Sequence, residues 1–169
     1  GAVLYYLSET QHNKVQHITS IQRIAEDAYV WMDRFTIRNL ELYQSNNPNA
    51  VTLLDVIDRT LSPMGSRLLK RWLALPLKDA NKVKARHEVV GYLKENTDVL
   101  QKFQQQIKQI SDLERLISKI ATGKVSPREV IYLKDSLDAI VPVKNIALAS
   151  DNDALKAIGD NLHSCELLR

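Results

Sequence analysis

The sequence contains a single cysteine, Cys165, and so lacks the means to form an internal disulfide bond. The four histidines, His12, His17, His87 and His163, are too scattered to place two metal ligands on one helix face. No second pair of ligands is available to complete a tetrahedral site with His163 and Cys165. We therefore expect no metal site, and we interpret Cys165 as a packing residue and the histidines as surface residues.

Glycine and proline are also scarce, at five each, and this scarcity excludes fibrous and low-complexity classes. No stretch approaches the ~18 consecutive apolar residues of a membrane-spanning helix, so we expect no membrane partner. The first residues lack the small-residue cleavage site of a secretory signal. With 169 residues the chain is long enough for one buried core, and we expect a cytoplasmic domain.

An excess of one charge is missing as well, because 23 basic and 20 acidic residues leave a net charge of only +3. Nucleic-acid-binding domains usually concentrate a larger excess on one face. Arg67, Lys70 and Arg71 share one helix face and are the best candidates for phosphate contacts. The alternative is a solvated face that is paired with acidic neighbours.

Motifs for catalysis are not found in the sequence. The segment Gly123-Lys124-Val125 has the lysine of a phosphate-binding loop but neither its preceding glycine nor its hydroxyl residue. Asp112 and Glu114 lie two positions apart, so in a helix they would point to different sides, and we expect Asp112 to reach Arg115 instead. The sequence therefore predicts no catalytic residue and no cofactor in this chain.

Apolar residues recur at helical spacings of three and four through most of the chain. The clearest stripes consist of Val99, Leu100, Phe103, Ile107 and Ile110, of Leu113, Leu116, Ile117 and Ile120, and of Val130, Leu133, Leu137, Ile140 and Val141. Short polar connections separate them. This pattern predicts an all-α fold, a multi-helix core bundle with one or two long, lever-type helices.

Several residues mark the expected helix boundaries. Gly123 fits the position just after a helix, and residues 126–129 (SPRE) provide an N-cap, a proline in the first turn and a glutamate that reaches back. We also expect Asp33 to cap a helix that includes residues 38–43, and Thr52 to cap a helix over residues 53–59. Ser62 and the following proline start another helix, after a loop at residues 45–49.

Residues 29–32 (YVWM) are the only run with the β-branched and aromatic enrichment of a strand. The run is too short to build a sheet, so at most one very short strand is expected, paired with something outside this chain. Leu155, Ile158, Leu162, Cys165 and Leu168 continue a helical stripe to the last residues. With an uncapped apolar start at residues 2–7, this stripe suggests a fragment of a larger protein.

Five stretches, in this order, resemble the core domain of the MutS family of DNA mismatch-repair proteins. They are residues 4–11 (LYYLSETQ), 36–42 (TIRNLEL), 53–77 with LLDVIDRT and MGSRLLKRWL, 112–116 (DLERL) and 123–129 (GKVSPRE). The resemblance covers about residues 1–145. It implies a connecting segment at residues 1–28, a helical core at 29–150, and at 151–169 the start of a lever helix leading toward a missing clamp domain.

The resemblance implies a homodimeric parent that binds mispaired or looped-out duplex DNA and hydrolyses ATP, with Mg²⁺, in a separate ATPase domain. This chain lacks the Phe-x-Glu of the family's mismatch reader, since Thr36-Ile37 follows Phe35 and Gln104-Gln105 follows Phe103. Polar residues within the matching stretches become candidates for structural and interdomain contacts. They are Arg38, Asn39, Glu41, Asp58, Arg59, Gly65, Arg67, Glu114 and Arg115.

The function implied by the resemblance is mechanical: the core would couple the ATPase domain to the domains that recognise and clamp DNA. Two alternatives remain open from the sequence. The chain could be a free-standing helical protein-interaction module unrelated to DNA. It could instead bind DNA directly through Arg67, Lys70 and Arg71, in which case its affinity would fall steeply with salt.

Overall fold

The computed structural model describes residues 2–9, 26–47 and 49–166. The helices are α1 (Ala2–Glu9), α2 (Arg34–Asn39), α3 (Leu53–Ile57), α4 (Pro63–Ala74), α5 (Ala80–Glu95), α6 (Thr97–Ile107), α7 (Leu113–Ala121), α8 (Pro127–Leu148) and α9 (Asp153–Asn161). A short 3₁₀ turn occupies Glu26–Ala28. The prediction of an all-α fold is confirmed, and the longest helix of the described residues, α8, has 22 residues.

The predicted boundary between α7 and α8 is confirmed in detail. Gly123 has a φ of 68° and its N–H donates to the carbonyl of Ile120 at 3.0 Å, while the N–H of Lys124 donates to Lys119 at 2.9 Å. This pair of bonds satisfies two carbonyls at the end of α7 and requires the left-handed backbone that glycine adopts without strain. Ser126 and Glu129 then form a reciprocal capping box at the start of α8.

Glu129 also ties α8 to α7, because its carboxylate accepts a hydrogen bond from the ammonium group of Lys119. That bond, followed by the bond from the Ser126 N–H at 2.9 Å, lowers the pKa of Glu129 from 4.5 to about 2. A carboxyl group that ionises more readily in the folded state stabilises the fold above its unfolded pKa. The contribution is lost as the pH falls through the folded value.

We therefore expect Glu129→Gln to reduce the acid sensitivity of the fold between pH 4.5 and about 2. At neutral pH the variant should be less stable than the parent sequence, and the difference should shrink across this window. Urea unfolding followed by circular dichroism at a series of pH values would measure it. Glu95→Gln, at an exposed position on α5, is the control, and equal pH slopes for all three proteins would contradict the prediction.

The other predicted caps are confirmed, but two of the helices are shorter than expected. Asp33 accepts the N–H of Thr36 at 2.6 Å, and Thr52 forms a capping box with Asp55. Helix α2 nevertheless ends at Asn39 rather than continuing to residue 43, and α3 ends at Ile57 rather than residue 59. The Ser62 hydroxyl accepts the Gly65 N–H at 3.1 Å, as expected for the start of α4.

The core lies between α5, α6, α8 and α9. Its buried centre consists of Phe103, Ala147 and Leu155. Partly buried apolar side chains pack around it, namely Val89, Tyr92, Leu93, Val99, Ile107, Val143 and Ile146. Val99, Phe103 and Ile107 of the first predicted stripe lie in this core, as hydrophobic burial requires. The other two predicted stripes are buried only in part, since Ile117, Ile120 and Val130 are exposed.

Two contacts of α8 depend on small side chains. A Cβ atom added to Gly159 of α9 would lie 3.0 Å from the Cβ of Ala147 and 3.2 Å from the Cγ of Leu148, so a larger residue at this crossing would have to displace its neighbours on α8. Farther along α8, Ser136 is fully buried. Its hydroxyl accepts the N–H of Ser111 at 2.9 Å and donates to the carbonyl of Tyr132 at 2.6 Å, which fixes the loop before α7.

Residues 29–32 were predicted to pair with a segment outside this chain, and that prediction is wrong. Tyr29 forms an isolated antiparallel bridge with Leu77 of the same chain, and the N–H of Val30 donates to the carbonyl of Pro76 at 2.7 Å. The composition of residues 29–32 predicts an extended backbone, but it does not predict the segment with which these residues pair. The N–H of Lys78 donates back to the carbonyl of Ala28 at 3.2 Å, so one hydrogen bond runs in each direction and the pairing stays short.

The helical stripe predicted through the last residues is also wrong beyond α9. Leu162 has a ψ of 118°, and its carbonyl accepts a hydrogen bond from the ammonium group of Lys144 at 2.8 Å instead of continuing the helix. Cys165 has a φ of 48°, a left-handed conformation that interrupts a helix. Cys165 is partly buried. Leu168, like His12 and His17, lies outside the described residues.

Candidate functional site

The candidate residues Arg38 and Glu41 do not lie on one helix, because α2 ends at Asn39 rather than continuing to residue 43. Glu41 has a φ of 46°, and its N–H donates to the carbonyl of Arg38 at 3.1 Å while the Leu42 N–H donates to Ile37 at 3.3 Å. This is the bonding pattern that usually places glycine at the end of a helix. A glutamate there is a strained residue, and backbone strain of this kind concentrates at functional sites.

We expect Glu41→Gly to raise the free energy of unfolding by about 0.5–1 kcal/mol, since relief of the left-handed strain exceeds the added entropy of the unfolded chain. Glu41→Ala is the matched control, because it removes the same carboxylate but keeps the strain. It should not stabilise the protein. Urea unfolding of the three proteins would measure the difference, and equal stabilities for the glycine and alanine variants would contradict it.

The loop after α2 holds both charged residues in place. The Nε and Nη2 of Arg38 donate to the Oδ1 of Asn46 at 3.0 and 2.6 Å, and the hydroxyl of Ser45 donates to Glu41 at 2.6 Å. Asn39 is exposed and makes no side-chain hydrogen bond to another described residue. Sequence reasoning missed Asn46, for which the polar composition of the loop was the only signal.

Asp58 organises the turn between α3 and α4. Its carboxylate accepts the hydroxyl of Ser66 at 2.6 Å, and the hydroxyl and N–H of Thr60 at 2.6 and 3.0 Å. The bond from Ser66, followed by those from Thr60, lowers the pKa of Asp58. Arg59 is exposed and comes only within 3.5 Å of the Asp58 carbonyl. Asp58 is therefore placed to shape the turn, and Arg59 to face outward.

Gly65, one of the candidates for structural contacts, lies close against this turn. A Cβ atom at this position would lie 3.2 Å from the Ser62 hydroxyl and 3.3 Å from the Cβ of Thr60. Both distances are tighter than ordinary van der Waals contact. A side chain at residue 65 would therefore push the turn away from α4.

Arg67 of α4 joins two carboxylates that are 45 and 47 residues away in sequence. Its Nη1 and Nη2 donate to Asp112 at 2.9 and 2.7 Å, and its Nε donates to Glu114 at 2.8 Å. The bond from Arg67 lowers the pKa of Asp112, and the two carboxylates raise the pKa of Arg67. We call this group of three residues the Arg67 link.

The expectation that Asp112 and Glu114 point apart is therefore wrong. Asp112 is the N-cap of α7 and lies outside the helical turn, so its side chain and that of Glu114 converge on one guanidinium. Asp112 also accepts the backbone N–H of Arg115 at 3.2 Å, and this bond replaces the side-chain pair predicted for them. The helix period applies only to residues inside a helix.

We expect Arg67→Gln to lower the free energy of unfolding, and to do so more at low than at high salt concentration. The reason is that salt screens the exposed charges of the Arg67 link. Urea unfolding of both proteins at two salt concentrations would measure this. Arg115→Gln is the control, since that side chain is exposed outside the link. A loss independent of salt would contradict an ionic role.

The predicted phosphate-binding cluster is largely occupied by other contacts. Arg67 is paired with carboxylates, and the ammonium group of Lys70 lies 4.7 Å from the centre of the Tyr43 ring. Arg71 makes no ion pair or ring contact with any other described residue. Nearby, the guanidinium of Arg86 on α5 stacks over Trp72 of α4 at 3.6 Å. A phosphate on this face would have to displace existing partners.

Other kinds of site find no support within residues 2–9, 26–47 and 49–166. No group of histidine, cysteine and carboxylate side chains in these ranges could hold a metal ion. No helix in the same ranges is long and apolar enough to cross a membrane.

Comparison with known proteins agrees with the resemblance seen in the sequence. A family described as MutS domain III matches residues 35–169. Over its whole length the chain is 79% identical to the DNA mismatch repair protein MutS of Flavobacterium johnsoniae and 50% identical to that of Parabacteroides distasonis. Over 99% of its length it is 45% identical to the MutS protein of Cytophaga hutchinsonii. The chain spans 19–20% of the length of these relatives.

Proposed function

Because this chain belongs to the MutS domain III family, we propose that it mechanically couples an ATPase domain to domains that recognise and clamp mismatched DNA. All of those domains would lie outside residues 1–169 of a longer protein. Residues 1–28 would lead into the core, residues 29–150 would form it, and residues 151–169 would begin the connection toward the clamp. Within that last segment the helical part is α9.

The observation that carries this proposal is the family match over residues 35–169, which covers a helical bundle with a shared core. A close-packed bundle is hardly compressible, so a displacement at one end moves the other. Helix α8 has 22 residues and is about 33 Å long at 1.5 Å per residue. It contacts the buried centre at Ala147 and the loop before α7 at Ser136.

In this proposal the chain itself is not catalytic. The longer protein would be a DNA-dependent ATPase that uses ATP and Mg²⁺ in its own ATPase domain, acts as a homodimer in the cytoplasm, and binds mismatched duplex DNA. The exposed polar residues of α2, α3 and their loops would contact neighbouring domains, namely Arg38, Asn39, Glu41 and Arg59. Asp58, Gly65 and the Arg67 link, with Arg115 beside it, would keep that surface in position.

A substitution that weakens the link between α4 and α7 without touching either distant site tests this coupling. In the full-length protein, Arg67→Gln should leave ATP hydrolysis without DNA and the affinity for mismatched DNA unchanged, while stimulation of ATP hydrolysis by mismatched DNA falls about fivefold or more. Arg71→Gln is the control from the same helix face. Unchanged stimulation in Arg67→Gln, or ATP hydrolysis by the isolated chain, would overturn the proposal.

The isolated chain should bind duplex DNA weakly, since its net charge is +3 and Arg67 is already paired. Fluorescence anisotropy at two salt concentrations would measure this. Specific DNA-binding proteins usually reach dissociation constants of ~10⁻⁸ M or lower near physiological salt. A submicromolar value for this chain, with a steep dependence on salt, would instead favour direct DNA binding.

A further inference from the structure

Helix α2 presents arginines and a large aromatic side chain to solvent at the edge of a cleft. Phe35 is 75% exposed. Arg34 and Arg38 are four positions apart and therefore lie on one face of α2, and Phe35 lies three positions before Arg38. Both arginines line a cleft of about 730 Å³ together with Ile37, Tyr43, Gln44, Ser45 and Asn46. We call Arg34, Phe35, Arg38 and this cleft the α2 surface.

The arginines of the α2 surface are not directly paired with the carboxylates nearest in sequence. Asp33 is used by the N–H of Thr36 at 2.6 Å, and Glu41 is used by the hydroxyl of Ser45 at 2.6 Å. Among the residues that the structure describes, Arg34 and Arg38 form no ion pair. The surface therefore offers two guanidinium groups that no carboxylate contacts directly.

One of these cations is also held in a fixed orientation. Arg38 donates through Nε and Nη2 to the Oδ1 of Asn46, which is a neutral amide oxygen. The amide orients the guanidinium without cancelling its charge, and Nη1 of Arg38 and the second N–H of its Nη2 are left for another acceptor. A guanidinium fork of this kind matches the two oxygens of a carboxylate. The cleft is thus organised in advance for an anionic side chain.

We propose that the α2 surface receives an aspartate or glutamate side chain of a protein segment outside residues 1–169, in the same longer protein, with Phe35 packed on apolar residues beside it. This rests on the proposed function, in which other domains of that protein surround this one. Exposed aromatic residues next to arginine are the combination enriched at protein interfaces. A nucleic-acid phosphate fits less well, because the chain carries little excess charge.

Chemical cross-linking of the full-length protein tests the partner directly. In an Arg38→Lys variant, a carbodiimide should join the new amine to a carboxylate that it contacts, and mass spectrometry should place the bond on an aspartate or glutamate outside residues 1–169. Arg71→Lys is the control and should give no such bond. Links only to Asp33, Glu41 or other carboxylates of this chain, or none at all, would overturn the proposal.

A second measurement uses the protein without substitutions, so that the Arg38→Lys change cannot itself cause the result. Phenylglyoxal should modify Arg34 and Arg38 in the isolated chain, and the rate should drop about tenfold in the full-length protein without DNA, as for a contact worth about 1.4 kcal/mol. Equal rates in the two proteins would overturn the proposal. Protection that appears only with duplex DNA would overturn it too, since phosphate would then be the ligand.

Measurements of ATP hydrolysis by the full-length protein separate this inference from the proposed function. If mismatched DNA stimulates ATP hydrolysis and Arg67→Gln weakens that stimulation, the coupling function holds whether or not a link forms at position 38. A missing link then rejects the α2 surface alone. If mismatched DNA has no effect on ATP hydrolysis, the proposed function fails regardless of the cross-link.

Discussion

Replacing Gly159 with valine should lower the free energy of unfolding by about 3 kcal/mol, at the upper end of the usual effect of overpacking a core. The Cβ alone would lie 3.0 Å from the Cβ of Ala147, and the branched side chain would add two more carbon atoms. Ala147 is 1% exposed and belongs to the buried centre of the bundle, so neither helix can yield without disturbing it. Helices α8 and α9 would have to separate.

Gly91→Val is the matched control for this substitution. Gly91 lies inside α5, and a Cβ there would meet nothing within 4 Å. Valine and glycine differ by only about 0.5 kcal/mol in helix propensity, so this control should be nearly neutral. Urea unfolding followed by circular dichroism would give both values. A loss at Gly159 no larger than that at Gly91 would show that the crossing is not tightly packed.

Ser136→Ala should cost about 2 kcal/mol, because removal of the buried hydroxyl leaves the N–H of the partly buried Ser111 without an acceptor. Ser136 is 0% exposed, and its hydroxyl accepts that N–H at 2.9 Å. No gain in helix propensity from alanine is large enough to offset the loss. The loop between α6 and α7 should loosen, with faster amide hydrogen exchange at Ser111.

Ser118→Ala separates the loop contact from the local effect of a helical serine. The hydroxyl of Ser118 donates to the carbonyl of Glu114 at 2.8 Å, four residues back, just as that of Ser136 donates to Tyr132. Ser118 is exposed, and this substitution should change stability by less than about 0.5 kcal/mol. Similar losses at both positions, or unchanged exchange at Ser111, would contradict the role assigned to Ser136.

Local signals in the sequence predicted the helix boundaries well. Ser126, Gly123 and Thr52 were assigned correctly because a cap depends on residues within one turn of it. The end of α2 was missed because no local signal marks it. The left-handed residue there is Glu41, and nothing in a glutamate predicts that conformation. The end of α9 was missed because Lys144, which binds the Leu162 carbonyl, belongs to another helix.

The contacts of the candidate functional residues were less predictable from the sequence than the fold. The resemblance to MutS proteins directed attention to Arg38 and Arg67, but their partners lie in a polar loop or far away in sequence. Helix periodicity even suggested that Asp112 and Glu114 diverge, since it cannot show that Asp112 precedes the first helical turn. Pairings between distant residues depend on tertiary packing, and periodicity carries no information about it.

The contact between α8 and α9 and the contact between α4 and α7 should respond differently to force. The contact of Gly159 with Ala147 joins α9 to α8 through atoms that lose their attraction within a fraction of an ångström. The Arg67 link joins α4 to α7 through charges, whose attraction declines only gradually with distance. A displacement of α9 would therefore move α8 directly. A displacement of α4 would be taken up in part by stretching of the Arg67 link before α7 moved.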